Sequence, residues 1–119
     1  IRDKGMWLEF RRVLFRSGLT NTKFVEPSGL SVFNISNAEE LVKIVEASSY
    51  YPEIVEASQT AKRNTNPTID KYNYIISKTG YIRLSGGCVV AKVDDKIIVI
   101  LGSKNVRTRI TELEYLIKH

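Results

Sequence analysis

Lys78, Thr79 and Gly80 follow the aromatic and β-branched run YNYII (72–76), with only Ser77 between. A lysine and a threonine on a strand offer a fixed cation and a hydroxyl donor, which together can hold a carboxylate. Gly80 lacks a Cβ, so a peptide backbone can approach the strand closely at that point. The N–H of the next residue, Tyr81, can then donate to an oxygen on which negative charge develops. A simple turn is the other reading of three such residues, and the tripeptide alone does not choose between them.

The remaining chemistry-bearing residues read more plainly. Cys88 sits among valines and reads as a small apolar strand residue. It is the only cysteine, and the only histidine is the terminal His119, so neither a disulfide nor a Cys/His metal set can be assembled. No metal and no cofactor is expected. Asp94-Asp95 reads as hairpin-turn chemistry, Tyr50-Tyr51 and Tyr72/Tyr74 as packing, and Arg83 as either a solvated cation or a contributor of charge near Lys78.

The net charge of +5 invites a nucleic-acid reading, but its origin removes the warrant. The segment LEFRRVLFRS (8–17) resembles the conceptual translation of a sequencing adapter, CTGGAGTTCAGACGTGTGCTCTTCCGATCT, codon by codon. Residues 1–17 are therefore expected to be adapter-derived rather than native, and are set aside from fold reasoning. They carry +3 of the net charge, which leaves 18–119 at +2. No nucleic-acid partner is expected, and no apolar run approaches the roughly 18 residues of a membrane span.

The elements that must position Lys78 follow from pattern. SNAEELVKIVEAS (36–48) opens with a Ser36/Glu39 capping-box pattern, and Leu41, Ile44, Val45 and Ala47 share a face, which predicts an amphipathic helix. YPEIVEAS (51–58) places Pro52 at a first helical turn. Strands are expected over 72–77, 81–93 and 96–102, the last two joined at Asp94-Asp95. RTRITELEYLIKH closes the chain as a helix with Ile110, Leu113, Leu116 and Ile117 at helical spacing. Helix, helix, three antiparallel strands and helix is an α+β order, an antiparallel sheet with flanking helices. IIVIL (97–101) is apolar throughout, which implies burial on both faces of the sheet.

The flanks of Lys78-Thr79-Gly80 carry a wider pattern. SKTGYIRLSGGCVVAKVDDKIIVILGS resembles the D-alanyl-D-alanine carboxypeptidases and endopeptidases, the low-molecular-weight penicillin-binding proteins. GLTNTKFVEPSGLSVFNISNAEEL and KRNTNP resemble segments that precede Lys-Thr-Gly in that family. Arg63 stands 15 positions before Lys78, the family's spacing. The resemblance runs over residues 18–119 and implies a partial β-lactamase/transpeptidase-like fold.

By that resemblance Lys78, Thr79 and Arg63 bind the substrate carboxylate, Gly80 completes the third active-site motif, and Tyr81 N–H is an oxyanion donor. The implied partners are peptidoglycan stem peptides and β-lactams, and the implied location is extracytoplasmic, in the periplasm or cell envelope. The family's Ser-x-x-Lys nucleophile and base, and its Ser-x-Asn motif, precede the NTxF-like segment and are expected to be absent. The chain is therefore expected to be an inactive C-terminal part of a serine hydrolase that works through an acyl-enzyme. A non-catalytic peptidoglycan- or β-lactam-binding module of the same fold is the alternative, and a β-lactamase a third.

Overall fold

A computed structural model describes residues 18–25, 31–60 and 64–119. Helices α1 (Ala38–Ser48) and α2 (Pro52–Gln59) come first. Strands β1 (Tyr74–Ile82), β2 (Gly86–Val93) and β3 (Lys96–Ser103) follow, then helix α3 (Val106–Lys118). The expected order and the α+β class are both present.

The start of α1 differs by one residue from the capping-box expectation. Asn37 is the N-cap, its side-chain oxygen accepting from Glu40 N at 2.8 Å. Ser36 instead shares a hydroxyl–hydroxyl bond of 2.7 Å with Thr22. Glu40 explains the shift. Its carboxylate accepts from Asn21 N at 3.1 and 3.0 Å and from the Thr22 hydroxyl at 2.9 Å, so the preceding segment is tied to the first turn of α1. Pro52 opens α2 as expected, its missing N–H costing nothing in a first turn.

The strands pair antiparallel in the order β1-β2-β3. The expected strand break before Lys78 is absent: β1 runs through Lys78-Thr79-Gly80 to Ile82. The expected single strand over 81–93 is instead divided by a turn. Ser85 N donates to Ile82 O at 3.1 Å, and Gly86 then takes φ +71°, a left-handed conformation that disfavours any side chain. The second turn falls at Asp94-Asp95, as the sequence indicates. Asp94 has φ +53°, and Asn73 Nδ2 holds its carboxylate at 2.8 Å.

Alternation along the strands separates two faces. On one, Val89, Ala91, Val93, Ile98 and Ile100 are buried with Tyr74 and with Leu113 of α3, which is fully buried, and Ile110 and Ile117 pack beside them. On the other, Lys92 reaches α1, its ammonium 3.4 Å from Glu46 and 3.3 Å from Ser49 Oγ. The expected double-sided burial of IIVIL is only half met: Ile98 and Ile100 are buried, Ile97 and Val99 half-buried, and Leu101 exposed. Tyr72 and Tyr74 meet edge to face at 6.2 Å, consistent with packing.

Candidate functional site

Lys78 lies in the middle of β1, opposite Val90, with Thr79 opposite Val89 and Gly80 opposite Cys88. Adjacent strand residues point to opposite faces, so the Lys78 and Thr79 side chains part company. Thr79 is buried, and its hydroxyl bonds to that of Thr65. Lys78 is exposed, and its ammonium donates to the Thr79 carbonyl at 2.5 Å. The cation is thus tied to the strand through the neighbouring backbone rather than through the neighbouring hydroxyl.

The segment Asn64-Thr65-Asn66 braces this stretch of strand from outside the sheet. Asn64 Nδ2 donates to Ser77 O and to Ser58 O, each at 2.9 Å, which ties α2 and β1 together. Asn66 is buried; its amide nitrogen donates to Ser77 Oγ at 3.0 Å, and its oxygen accepts from Thr68 N at 2.9 Å. Two asparagines and a threonine therefore meet the residues on either side of Lys78 at 77 and 79. Arg63, expected beside them, lies outside the described residues, as do 1–17.

Gly80 is exposed, and a Cβ added there would meet no atom within 4 Å. The space beside it is open, so the chain's own packing does not demand a glycine at this position. Tyr81 is exposed and Arg83 lies exposed in the turn after β1. Cys88 is half-buried, its thiol near Ser85 O and Gly86 O at 3.8 and 3.9 Å.

Sequence reasoning missed Arg109. This residue of α3 is 4% exposed, and its Nη1 donates to Gly80 O at 3.0 Å and to Cys88 O at 3.3 Å. Among the described residues neither Arg109 nor Lys78 forms an ion pair with a carboxylate. Desolvation of the Lys78 ammonium, and then the positive charge of Arg109, push its pKa below the ordinary 10.5. The visible signal for Arg109 was a basic residue on the helix face that also carries Leu113, where a core-facing cation calls for an explanation.

The string Ser103-Lys104-Asn105 is a literal Ser-x-Asn match, but it follows the NTxF-like segment that the family's motif precedes. Its residues serve the fold. Asn105 caps α3, accepting from Thr108 N at 2.8 Å, and Ser103 is buried at the end of β3. Among the described residues no three His, Cys, Asp or Glu side chains come together, and no helix is long and apolar enough to cross a membrane. A shallow apolar depression lined by Val42, Ala47, Tyr50, Tyr51 and Ile97 involves α1 and β3, at the sheet edge away from Lys78.

With this geometry in hand, two relatives are informative. In an alignment of 91 residues the chain is 38% identical to the D-alanyl-D-alanine endopeptidase of Escherichia coli (strain K12), covering 63% of this chain and 29% of the relative. It is 34% identical to the D-alanyl-D-alanine endopeptidase of Pseudomonas aeruginosa, with the same coverage. The chain thus spans less than a third of the length of these curated relatives. No protein-family profile matches it. The resemblance read from Lys78-Thr79-Gly80 and its flanks is borne out as a similarity to part of the D-Ala-D-Ala peptidases.

Proposed function

We propose that residues 18–119 are the C-terminal part of a serine-type D-Ala-D-Ala peptidase domain of the β-lactamase/transpeptidase type, which cleaves peptidoglycan stem peptides in the cell envelope. One observation carries this reading. In a chain 38% identical over 91 aligned residues to a D-alanyl-D-alanine endopeptidase, an exposed lysine stands on the edge strand β1, beside an open glycine, and no carboxylate among the described residues pairs with it. An unpaired cation fixed at an edge that can accept a peptide suits a substrate ending in a carboxylate. The names of both relatives favour cross-link cleavage over trimming of a free peptide end.

In the parent protein a serine oxygen attacks the scissile carbonyl while a lysine base takes its proton. The bond to the leaving D-amino-acid nitrogen breaks, that nitrogen is protonated, and water then hydrolyses the serine ester. Within this chain, Lys78 and Arg63 hold the substrate carboxylate and Tyr81 N–H donates to the developing oxyanion, while Thr79, turned inward to Thr65, supports the strand instead of the carboxylate. Gly80 leaves room for the substrate backbone. A β-lactam carries a comparable carboxylate, which would meet Lys78 in the same way.

The test is covalent labelling with a fluorescent penicillin. The 119-residue chain takes no label, because it holds no Ser-x-x-Lys pair after residue 17. The intact parent protein is labelled and releases product from a D-Ala-D-Ala-linked peptide. Labelling of the short chain would overturn its reading as an inactive part. An intact gene with no Ser-x-x-Lys would replace the enzyme with a binding module.

A further inference from the structure

Arg109 is expensively placed. Its guanidinium is nine-tenths buried or more, no carboxylate pairs with it among the described residues, and its Nε has no hydrogen-bond partner. A buried unpaired charge is costly. The position adds to the cost, because Arg109 stands in the first turn and a half of α3, where the helix dipole disfavours a cation and no acidic residue offsets it. The surrounding chain nevertheless makes room for it. Gly87 lies against the start of α3, where a Cβ would come within 3.0 Å of Asn105 O and 3.3 Å of Arg109 Cβ. A side chain on β2 at that point would push the helix, and with it the arginine, away from β1.

What Arg109 gains is Gly80 O, and Gly80 O belongs to the peptide unit whose nitrogen is Tyr81 N. That unit is planar and trans, so its C=O and N–H point in opposite directions. Gly80 O is drawn toward the β2 side, where Arg109 also holds Cys88 O. The Tyr81 N–H is then turned to the other side, the open edge of the sheet, because among the described residues β1 has a neighbouring strand on one side only. A cationic donor on the carbonyl also polarises the amide and strengthens its N–H as a donor.

We propose that Arg109 is a positioning residue: by clamping the Gly80 carbonyl against β2, it aims and polarises the Tyr81 N–H that serves the oxyanion. This rests on the functional reading above, and it assigns Arg109 no direct contact with the substrate.

The experiment uses the intact parent protein with Arg109→Met and Arg109→Lys. Two peptides are compared, one ending in D-Ala-D-Ala and one with sulfur in place of the scissile carbonyl oxygen. Sulfur accepts hydrogen bonds poorly, so the sulfur peptide depends less on the N–H donor. Removing a whole oxyanion donor costs about 10²–10³ in rate, so loss of its clamp should slow oxygen-substrate acylation by at least about tenfold. The sulfur substrate should slow much less, so that the oxygen-to-sulfur rate ratio falls. Arg109→Lys, which keeps the charge but not the fork, should recover part of that ratio.

A merely structural arginine would lower the folded fraction and slow both substrates equally, leaving the ratio unchanged, and that result overturns the proposal. A rise in KM with kcat intact would also overturn it, making Arg109 a direct carboxylate ligand. If Arg109→Met does not fold, the ratio measured with Arg109→Lys decides alone. A parent that takes no penicillin label sinks the functional reading itself, whereas a labelled parent with an unchanged ratio sinks only the role given to Arg109.

Discussion

Among the described residues no carboxylate pairs with Lys78, and that sets its character. Its ammonium leans on the Thr79 carbonyl, and among the described residues the charge that acts on it is another cation, Arg109. Desolvation and that neighbour lower its pKa, so the cation is lost at a lower pH than an ordinary lysine would lose it. In the parent enzyme, carboxylate binding should therefore fall away on the alkaline side at a pH below 10.5, the ordinary lysine value. Arg109→Met removes the like charge and should move that limb upward, toward the ordinary value. A pH profile of penicillin acylation checks both statements. Lys78→Ala should cost about tenfold or more in acylation, since a hydrogen bond to a charged group contributes roughly 1.5–3 kcal/mol. Unchanged labelling of that variant would remove Lys78 from the site.

At the scale of elements, the turn between β1 and β2 is the feature that sets the site's geometry. Gly86 combines φ +71° with a would-be Cβ only 2.7 Å from Ser103 O. Gly86→Ala should destabilise the chain by about 1–3 kcal/mol, because the left-handed strain and the backbone clash act together. Thermal unfolding followed by circular dichroism reads this directly, and an unchanged midpoint would mean that the turn relaxes at no cost. The N-cap of α1 offers a milder test. Asn37→Ala leaves Glu40 N without its 2.8 Å acceptor and should cost about 0.5–2 kcal/mol. Ser36→Ala leaves that cap bond in place and removes the bond to Thr22, so a helix that frays at its N-terminus in Asn37→Ala but not in Ser36→Ala is the expected outcome.

For the whole molecule, two carboxylates join distant parts of the chain. Burial raises the Glu40 pKa, but hydrogen bonds from Thr22, Asn21 and Asn37 outweigh it and leave the group below 4.5. Glu114 is held below 4.5 chiefly by Lys71, 2.7 Å away, and by the Tyr72 hydroxyl at the same distance. Carboxylates with a depressed folded pKa contribute stability that is present above the unfolded value and is lost as pH falls through the folded one. The chain should thus hold its stability near neutrality and lose it progressively once the pH drops below about 4.5. Denaturant midpoints measured from pH 7 down to pH 3 follow this. In Glu40→Gln the slope should shrink, and a slope identical to that of the unaltered chain would remove Glu40 from the acid response.

Much of this molecule is legible in its residues because the determining interactions are local or periodic. Apolar spacing marks α1 and α3, Pro52 marks α2, Asp94-Asp95 marks the second hairpin, and Lys78-Thr79-Gly80 stands out with its flanking family pattern. Pattern alone did not show that β1 continues through Lys78 to Ile82, because that depends on pairing with β2 and on the left-handed Gly86. It did not show that Thr79 turns inward to Thr65 while Lys78 turns outward, since strand register decides which side chain meets which neighbour. Nor could it bring Arg109 to Gly80, 29 residues away in sequence. That contact depends on α3 lying close against Gly87 of β2, and long-range packing of this kind leaves no periodic trace in the chain.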